Sequence, residues 1–270
     1  MIDLHCHILP GLDDGAVDMA ESVEMARIAS EDGVRTVVAT PHVFRDGPDS
    51  QVLSLIAGKR DELAEALARE KIDLEVRCGA EVYFSHEFLD EVRGKRNRLV
   101  VNGSAYLFVE FPSDHVYAGA RDIFFNLLNE GLIPIIAHPE RNTSFQKEPS
   151  LLFELVRMGA LAQANSRSFL GGYGSRVRET AESFLRLNLV QLIASDGHSP
   201  RNRTPRLKAA VAEVAKIVGE RAAVAMVTVN PEAVIKDGEP PYRPDPIDPS
   251  TSKKSLKISV PSIFKLKNRR

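Results

Sequence analysis

Short runs with strand character alternate with longer stretches of helical spacing along most of this chain, and that alternation is the strongest constraint on its fold. The runs are Met1 to Leu4, Val34 to Thr40, Leu74 to Cys78, Ala105 to Glu110, Ile133 to Ala137, Leu161 to Asn165 and Val190 to Ser195. Between them the spacing predicts helices over 17–32, 53–71, 118–130, 149–158, 175–187 and 204–218. The first ends at Gly33, and the last carries Pro205 in its first turn. Strand and helix in succession predict a parallel sheet covered by helices in an α/β fold. Periodicity leaves both an open doubly wound sheet and a closed barrel admissible.

The composition changes near Asp237. Residues 1–236 are read as the folded domain and 237–250 as a proline-rich extended linker (EPPYRPDPIDPS over 239–250). Residues 251–270 form a basic tail without an acidic residue, expected to be disordered. Any membrane contact is assigned to that tail. The net charge of −2 gives no argument for nucleic acid. Two cysteines, Cys6 and Cys78, imply no disulfide framework. There is no signal-peptide pattern and no apolar run near the roughly 18 residues that span a bilayer, so a cytoplasmic protein is expected.

Metal-type side chains follow the strands. His5 and His7 come after Met1 to Leu4, followed by Asp13 and Asp14. His42 lies in ATPH, Glu81 in GAEVY, Glu110 ends AYLFVE, His138 lies in AHPER, and Asp196 and His198 lie in SDGH. Six strands deliver such groups at their C-terminal ends, where active sites of parallel α/β folds assemble. One histidine after a strand is weak evidence; five of the seven histidines at such positions is not. Imidazole and carboxylate without thiolate suit Mn, Zn, Fe or Mg. With Asp13 set aside, nine groups exceed one ion's needs and would serve three. Four carboxylates give about −4 and three divalent ions about +6, so the site would favour a dianion such as a phosphate monoester. Arg141 and Arg203 follow ligands closely, and guanidinium forks match phosphate oxygens.

Cysteine chemistry is not expected. A C-x5-R loop needs arginine six residues after the thiol, but Leu12 and Phe84 stand there. Alternation along the strand points Cys6 away from His5 and His7. Asp13 reads as a turn or supporting acid. Gly171, Gly172 and Gly174 read as a flexible loop, and His86 and His115 as non-ligands.

In this order, HCH with DDG, ATPH, GAEVY, FVEFP, AHPER and SDGH resemble the PHP (polymerase and histidinol phosphatase) superfamily. Within it, the chain is similar to the bacterial CpsB/YwqE-type manganese-dependent protein-tyrosine phosphatases from Met1 to about Ile235. The resemblance implies a distorted (β/α)7 TIM-like barrel with a trinuclear centre at the C-terminal mouth, most simply three Mn²⁺, with Mg²⁺, Fe²⁺ or Zn²⁺ as alternatives. It implies that His5, His7, Glu81 and Asp196 hold one ion, Glu81, Glu110 and His138 a second, and Asp14, His42 and His198 the third. Arg141 and Arg203 would bind phosphate. The implied reaction is phosphotyrosine hydrolysis by a metal-activated hydroxide, on a bacterial tyrosine kinase that controls capsule or exopolysaccharide synthesis. The competing expectations are a phosphoesterase for a small metabolite such as histidinol phosphate and an inactive kinase-docking protein. The stretch VFRDGPDS after His42 borders the mouth and bears on substrate preference.

Overall fold

The computed structural model describes residues 1–45, 50–85 and 87–251. Among them lie the strands β1 (Ile2–Cys6), β2 (Thr36–Ala39), β3 (His42–Val43), β4 (Glu75–Cys78), β5 (Glu81–Tyr83), β6 (Tyr106–Glu110), β7 (Ile133–Ala137), β8 (Leu161–Asn165) and β9 (Leu192–Ala194). All their pairings are parallel. One sheet has the order β1-β2-β4 and the other β3-β5-β6-β7-β8-β9. This is an α/β fold of parallel sheets, as the alternation predicts.

Two strands escape the sequence reading. His42 and Glu81 do not merely trail the preceding runs; each opens a short strand of its own. Pro41 has no N–H for a ladder. Gly79 lies so close to Val38 and Thr40 that an added Cβ would stand 3.2 and 3.4 Å from their side chains. The chain kinks at both points, then resumes pairing with His42 opposite Glu81. Beyond β9, Asp196 N–H donates to the His5 carbonyl and His7 N–H to that of Gly197, both at 2.8 Å. Cys6 and Gly197 form a parallel bridge there.

Strand alternation divides two apolar clusters. On β6, Tyr106 and Phe108 join the smaller cluster, whereas Leu107 and Val109 join the larger. Leu161 of β8 is in the smaller cluster and Ala162 and Ala164 are in the larger. Gln163 and Asn165 therefore share the face of Leu161, and Glu110 that of Phe108.

The first helix, Met19–Glu31, starts at Asp18, whose carboxylate accepts from Glu21 N–H at 2.9 Å. The helix expected from Thr204 begins instead at Lys208. Pro205 is held in the preceding loop, where it packs against Gly197. Asp32 supplies the cap from 175 residues away, accepting from Leu207 N–H at 2.7 Å and Lys208 N–H at 2.8 Å. Asp32→Ala is expected to cost about 1–2 kcal/mol, read as a lowered denaturation midpoint at unchanged m-value.

The proline-rich stretch lies along the domain. Asn230 brackets Tyr242, donating to its carbonyl at 2.7 Å and accepting its N–H at 2.9 Å. Asn188 bonds the Asp245 carbonyl, and Ile247 N–H the Leu187 carbonyl. Proline locks φ, and these bonds satisfy groups that an irregular segment would leave to water. The basic tail beyond Thr251 and His86 lie outside the described residues.

Candidate metal centre

All nine candidate ligands meet in one network. His5 Nε2 and His7 Nε2 are 3.2 Å apart and stand 3.2 and 3.3 Å from Glu81 Oε2. Asp196 Oδ1 is 3.8 Å from His5 Nε2 and 3.6 Å from His7 Nε2. His42 Nδ1 lies 3.0 Å from Glu81 and 3.4 Å from Glu110, and its Nε2 lies 3.3 Å from Asp14. His138 Nε2 is 3.1 Å from Glu81 and 3.8 Å from Glu110. His198 Nε2 is 3.3 Å from Asp14.

Three overlapping donor groups result: His5, His7 and Glu81; His42, Glu81 and Glu110; and His7, Asp14, His42 and His198. They differ from the expected sets in detail. Asp196 is absent from the first group, His42 stands in the second where His138 was expected, and His7 joins the third. Glu81 is fully buried at the hub, whereas the side chain of Asp14 is 56% exposed at the rim.

The chain places these groups with local strain and aimed supports. His138 and Asp196 take left-handed backbones, φ 31° and 50°, each costing on the order of 1 kcal/mol. Gly15 of DDG could bear no side chain, since a Cβ would lie 2.1 Å from the His7 carbonyl oxygen. Asp13 orients His7. Its Oδ2 accepts from His7 Nδ1 at 2.6 Å and from His42 N–H at 3.0 Å, and its Oδ1 from Gly15 N–H at 2.9 Å. His5 Nδ1 donates to Gln163 Oε1 at 2.9 Å. Gln163 donates in turn to Asn165 Oδ1 at 2.9 Å, and Asn165 to Asp196 Oδ2 at 2.6 Å. These partners fix the tautomers so that both Nε2 lone pairs face the centre. Sequence reasoning named Asp13 in this supporting role but missed Gln163 and Asn165. Their signal was two amides at alternate positions of a buried strand.

The donor set fits divalent cations. His42 Nδ1, Glu81 Oε2, Glu110 Oε2 and His198 Nε2 are all buried without a hydrogen-bond partner among the described residues, an arrangement costly unless a cation satisfies them. Burial opposes charge on His7 and His42, but Asp13 pushes His7 up to about 9, and Glu81 and Asp14 push His42 up to about 11. Burial and the neighbouring Glu81 push Glu110 up to about 7. Burial and Arg141 hold His138 down at about 4, leaving it neutral. A cation entering at neutral pH must displace protons from His7 and His42, and raising the pH removes that competition. Mn²⁺ affinity is therefore expected to rise between pH 6.5 and 8.5. Calorimetry in buffers of different ionisation enthalpy should register proton release.

Both candidate phosphate arginines reach the centre. Arg141 Nη1 and Arg203 Nη2 donate to Asp196 Oδ2 at 2.8 and 2.5 Å. Beside them, Glu110, Ala137, His138 and Arg141 line a cavity of about 220 Å³ with Arg45, Tyr83 and Phe111. Arg45 Nη1 also lies 2.9 Å from His42 Nε2, a neighbour not singled out by the sequence reading.

Cys6 is turned into the larger apolar cluster, and its Sγ donates to the Gly197 carbonyl at 3.5 Å. Burial pushes its thiol well above the ordinary range, so it is no thiolate nucleophile. Cys6→Ser is expected to keep turnover of a phosphate monoester within about threefold of wild type, measured at equal metal content. His115 pairs with Asp114 on the surface and is in none of the three donor groups.

Comparison with known proteins gives a consistent result. A family model described as capsular polysaccharide synthesis, CpsB/CapC, matches residues 1–236. Tyrosine-protein phosphatase YwqE of Bacillus subtilis (strain 168) is 38% identical over 241 residues, covering 88% of this chain and 92% of its own. Tyrosine-protein phosphatase CpsB of Streptococcus pneumoniae is 31% identical over 245 residues, covering 88% and 99%. Crystal structures of YwqE and CpsB, described as metal-dependent tyrosine phosphatases, include a chain that superimposes with a TM-score of 0.86 at 36% identity, over 92% of this chain and 99% of that one. A histidinol phosphate phosphatase from Lactococcus lactis shares the fold at a TM-score of 0.54 and 14% identity, over 82% and 93%. The chain belongs to the CpsB/CapC family of capsular polysaccharide synthesis.

Proposed function

We propose that this chain is a metal-dependent protein-tyrosine phosphatase whose substrate is phosphotyrosine in a bacterial tyrosine kinase governing capsule or exopolysaccharide synthesis. One observation carries the reading. Two guanidinium groups converge on Asp196, a member of the nine-residue cation cluster, beside a cavity lined by Tyr83 and Phe111. That combination suits a phosphoryl dianion carried on an aromatic ring. The tyrosine phosphatase names of YwqE and CpsB support the same activity.

Three ions are proposed, with Mn²⁺ as the occupant and Mg²⁺, Fe²⁺ and Zn²⁺ as alternatives. His5, His7, Glu81 and Asp196 would hold one, Glu81, Glu110 and His138 the second, and Asp14, His42 and His198 the third. Bound divalent ions supply an acidified water and positive charge. The chain's own residues do the rest. Arg141 and Arg203 bind the phosphoryl oxygens and offset charge that shifts onto them in the transition state. Asp13 and Gln163 keep the lone pairs of His7 and His5 aimed inward. Tyr83 and Phe111 offer apolar surface to the leaving ring. Tyrosinate, with a pKa near about 10, departs with modest help.

We also read the two sheets as one distorted (β/α)7 barrel. The kinked continuations β2 to β3 and β4 to β5, and the bonds from His5 and His7 to Asp196 and Gly197, support it. A cytoplasmic location accords with two free cysteines and no described helix long and apolar enough to cross a membrane. Membrane contact is reserved for the basic tail.

The test is turnover of a phosphotyrosyl peptide and of histidinol phosphate after chelation and readdition of Mn²⁺, Mg²⁺ or Zn²⁺. The reading expects chelation to abolish activity, readdition to restore it, and the peptide to be preferred. Preference for histidinol phosphate would overturn the substrate. Activity that survives complete metal removal would overturn the mechanism.

A further inference from the structure

The loop Gly171–Gly174 has no role in the chemistry described so far, yet its backbone is tightly specified. Gly171 and Gly174 take φ +76° and +90°, and a Cβ on Gly172 would lie 2.3 Å from Arg167 Cγ. Gly172 N–H bonds the Arg167 carbonyl at 3.0 Å, and Gly174 N–H that of Gly171 at 3.0 Å. Glycine is required here for conformation and for close approach. What the loop presents is Tyr173.

The ring of Tyr173 lies under two guanidinium groups. Arg141 Cζ is 4.8 Å from its centroid and Arg167 Cζ is 5.7 Å away. The Tyr173 hydroxyl is buried and makes no hydrogen bond among the described residues, so the residue contributes its π face. Arg167 Nη1 donates to the carbonyl of Asn202, beside Arg203. The base of the loop is clamped to the turn that carries Arg141. Fully buried Glu140 accepts from Asn165 N–H at 2.9 Å and from the Ser168 hydroxyl at 2.6 Å.

We infer that Tyr173 is a positioning residue for Arg141, its ring holding the guanidinium plane so that donors not used by Asp196 face the phosphoryl group. This rests on the proposed role of Arg141 in phosphate binding. Asp196 fixes one nitrogen of a group with five N–H donors, and a single bond leaves rotation about it free. A ring face against the guanidinium removes that freedom at little entropic cost, because cation–π attraction and planar stacking both favour the aligned geometry. Arg167 against the same ring ties the loop to the segment that bears Arg203, so both arginines share one scaffold.

The experiment compares wild type, Tyr173→Phe and Tyr173→Leu as Mn²⁺-loaded full-length protein. It measures phosphotyrosyl-peptide kinetics and inhibition by inorganic phosphate. Tyr173→Leu is expected to lower kcat/KM and to raise the phosphate inhibition constant by roughly 3- to 30-fold. Metal content and circular dichroism should stay unchanged. Tyr173→Phe keeps the π face and should match wild type. In an Arg141→Ala background, Tyr173→Leu should add no further loss of phosphate inhibition. Wild-type behaviour of the leucine variant, equal damage from phenylalanine, or full additivity with Arg141→Ala would each overturn the inference. Wild-type phosphate inhibition in Arg141→Ala alone would instead overturn the role of Arg141.

Discussion

Glu81→Gln should lower phosphotyrosine turnover by roughly a thousandfold, about 4 kcal/mol of lost transition-state stabilisation. Glu81 is the hub of the network. It is fully buried and within 3.3 Å of His5, His7, His42 and His138. Despite burial, which raises its pKa, the imidazoles His5 and His42 hold its carboxyl well below the ordinary range. The amide has nearly the same shape but no negative charge, so cations and protonated imidazoles lose their central counter-charge. Metal analysis should show a substoichiometric protein, and activity should recover poorly at raised Mn²⁺. A variant with full metal content and wild-type kcat would remove Glu81 from the centre.

Arg141→Ala should lower kcat/KM by about a hundredfold to a thousandfold while metal content stays near that of wild type. Among the described residues, Arg141 hydrogen-bonds the centre through Asp196 Oδ2, an oxygen that also accepts from Asn165 and Arg203. Its loss therefore leaves the carboxylate held by two other donors. The deficit should fall on phosphate binding and transition-state charge, not on assembly. Arg141→Lys should recover little, because an ammonium cannot bond Asp196 and the phosphoryl group with one planar fork. Metal loss in Arg141→Ala would assign the residue to assembly instead.

Much of this was legible in the sequence, and what was not has physical causes. The ligand candidates stood out because each follows a recognisable strand run, and strand ends converge wherever parallel strands pair. β3 and β5, two and three residues long, cannot display a two-residue period. Gln163 and Asn165 were hidden because their worth depends on what lies opposite them. Pro205 looked like a first-turn proline, but the cap that fixes the helix start comes from Asp32, a partner no local window contains. The proline-rich stretch has no periodicity at all. Its attachment depends on Asn230 and Asn188, whose side chains reach across from the domain.

The bonds that stitch the end of β9 to β1 also set a timetable. Asp196 and His198 must arrive before the donors around His5 and His7 are complete, and Asp196 N–H is itself anchored on the His5 carbonyl. These contacts link the first ten residues with positions nearly two hundred further along, one of the long loops the fold has to close. A nascent chain still short of β9 has only part of its cation shell. On the proposed ligand set, full metal capture would wait until the chain has passed His198, and a complete set of ions would report that the end of β9 has docked on β1.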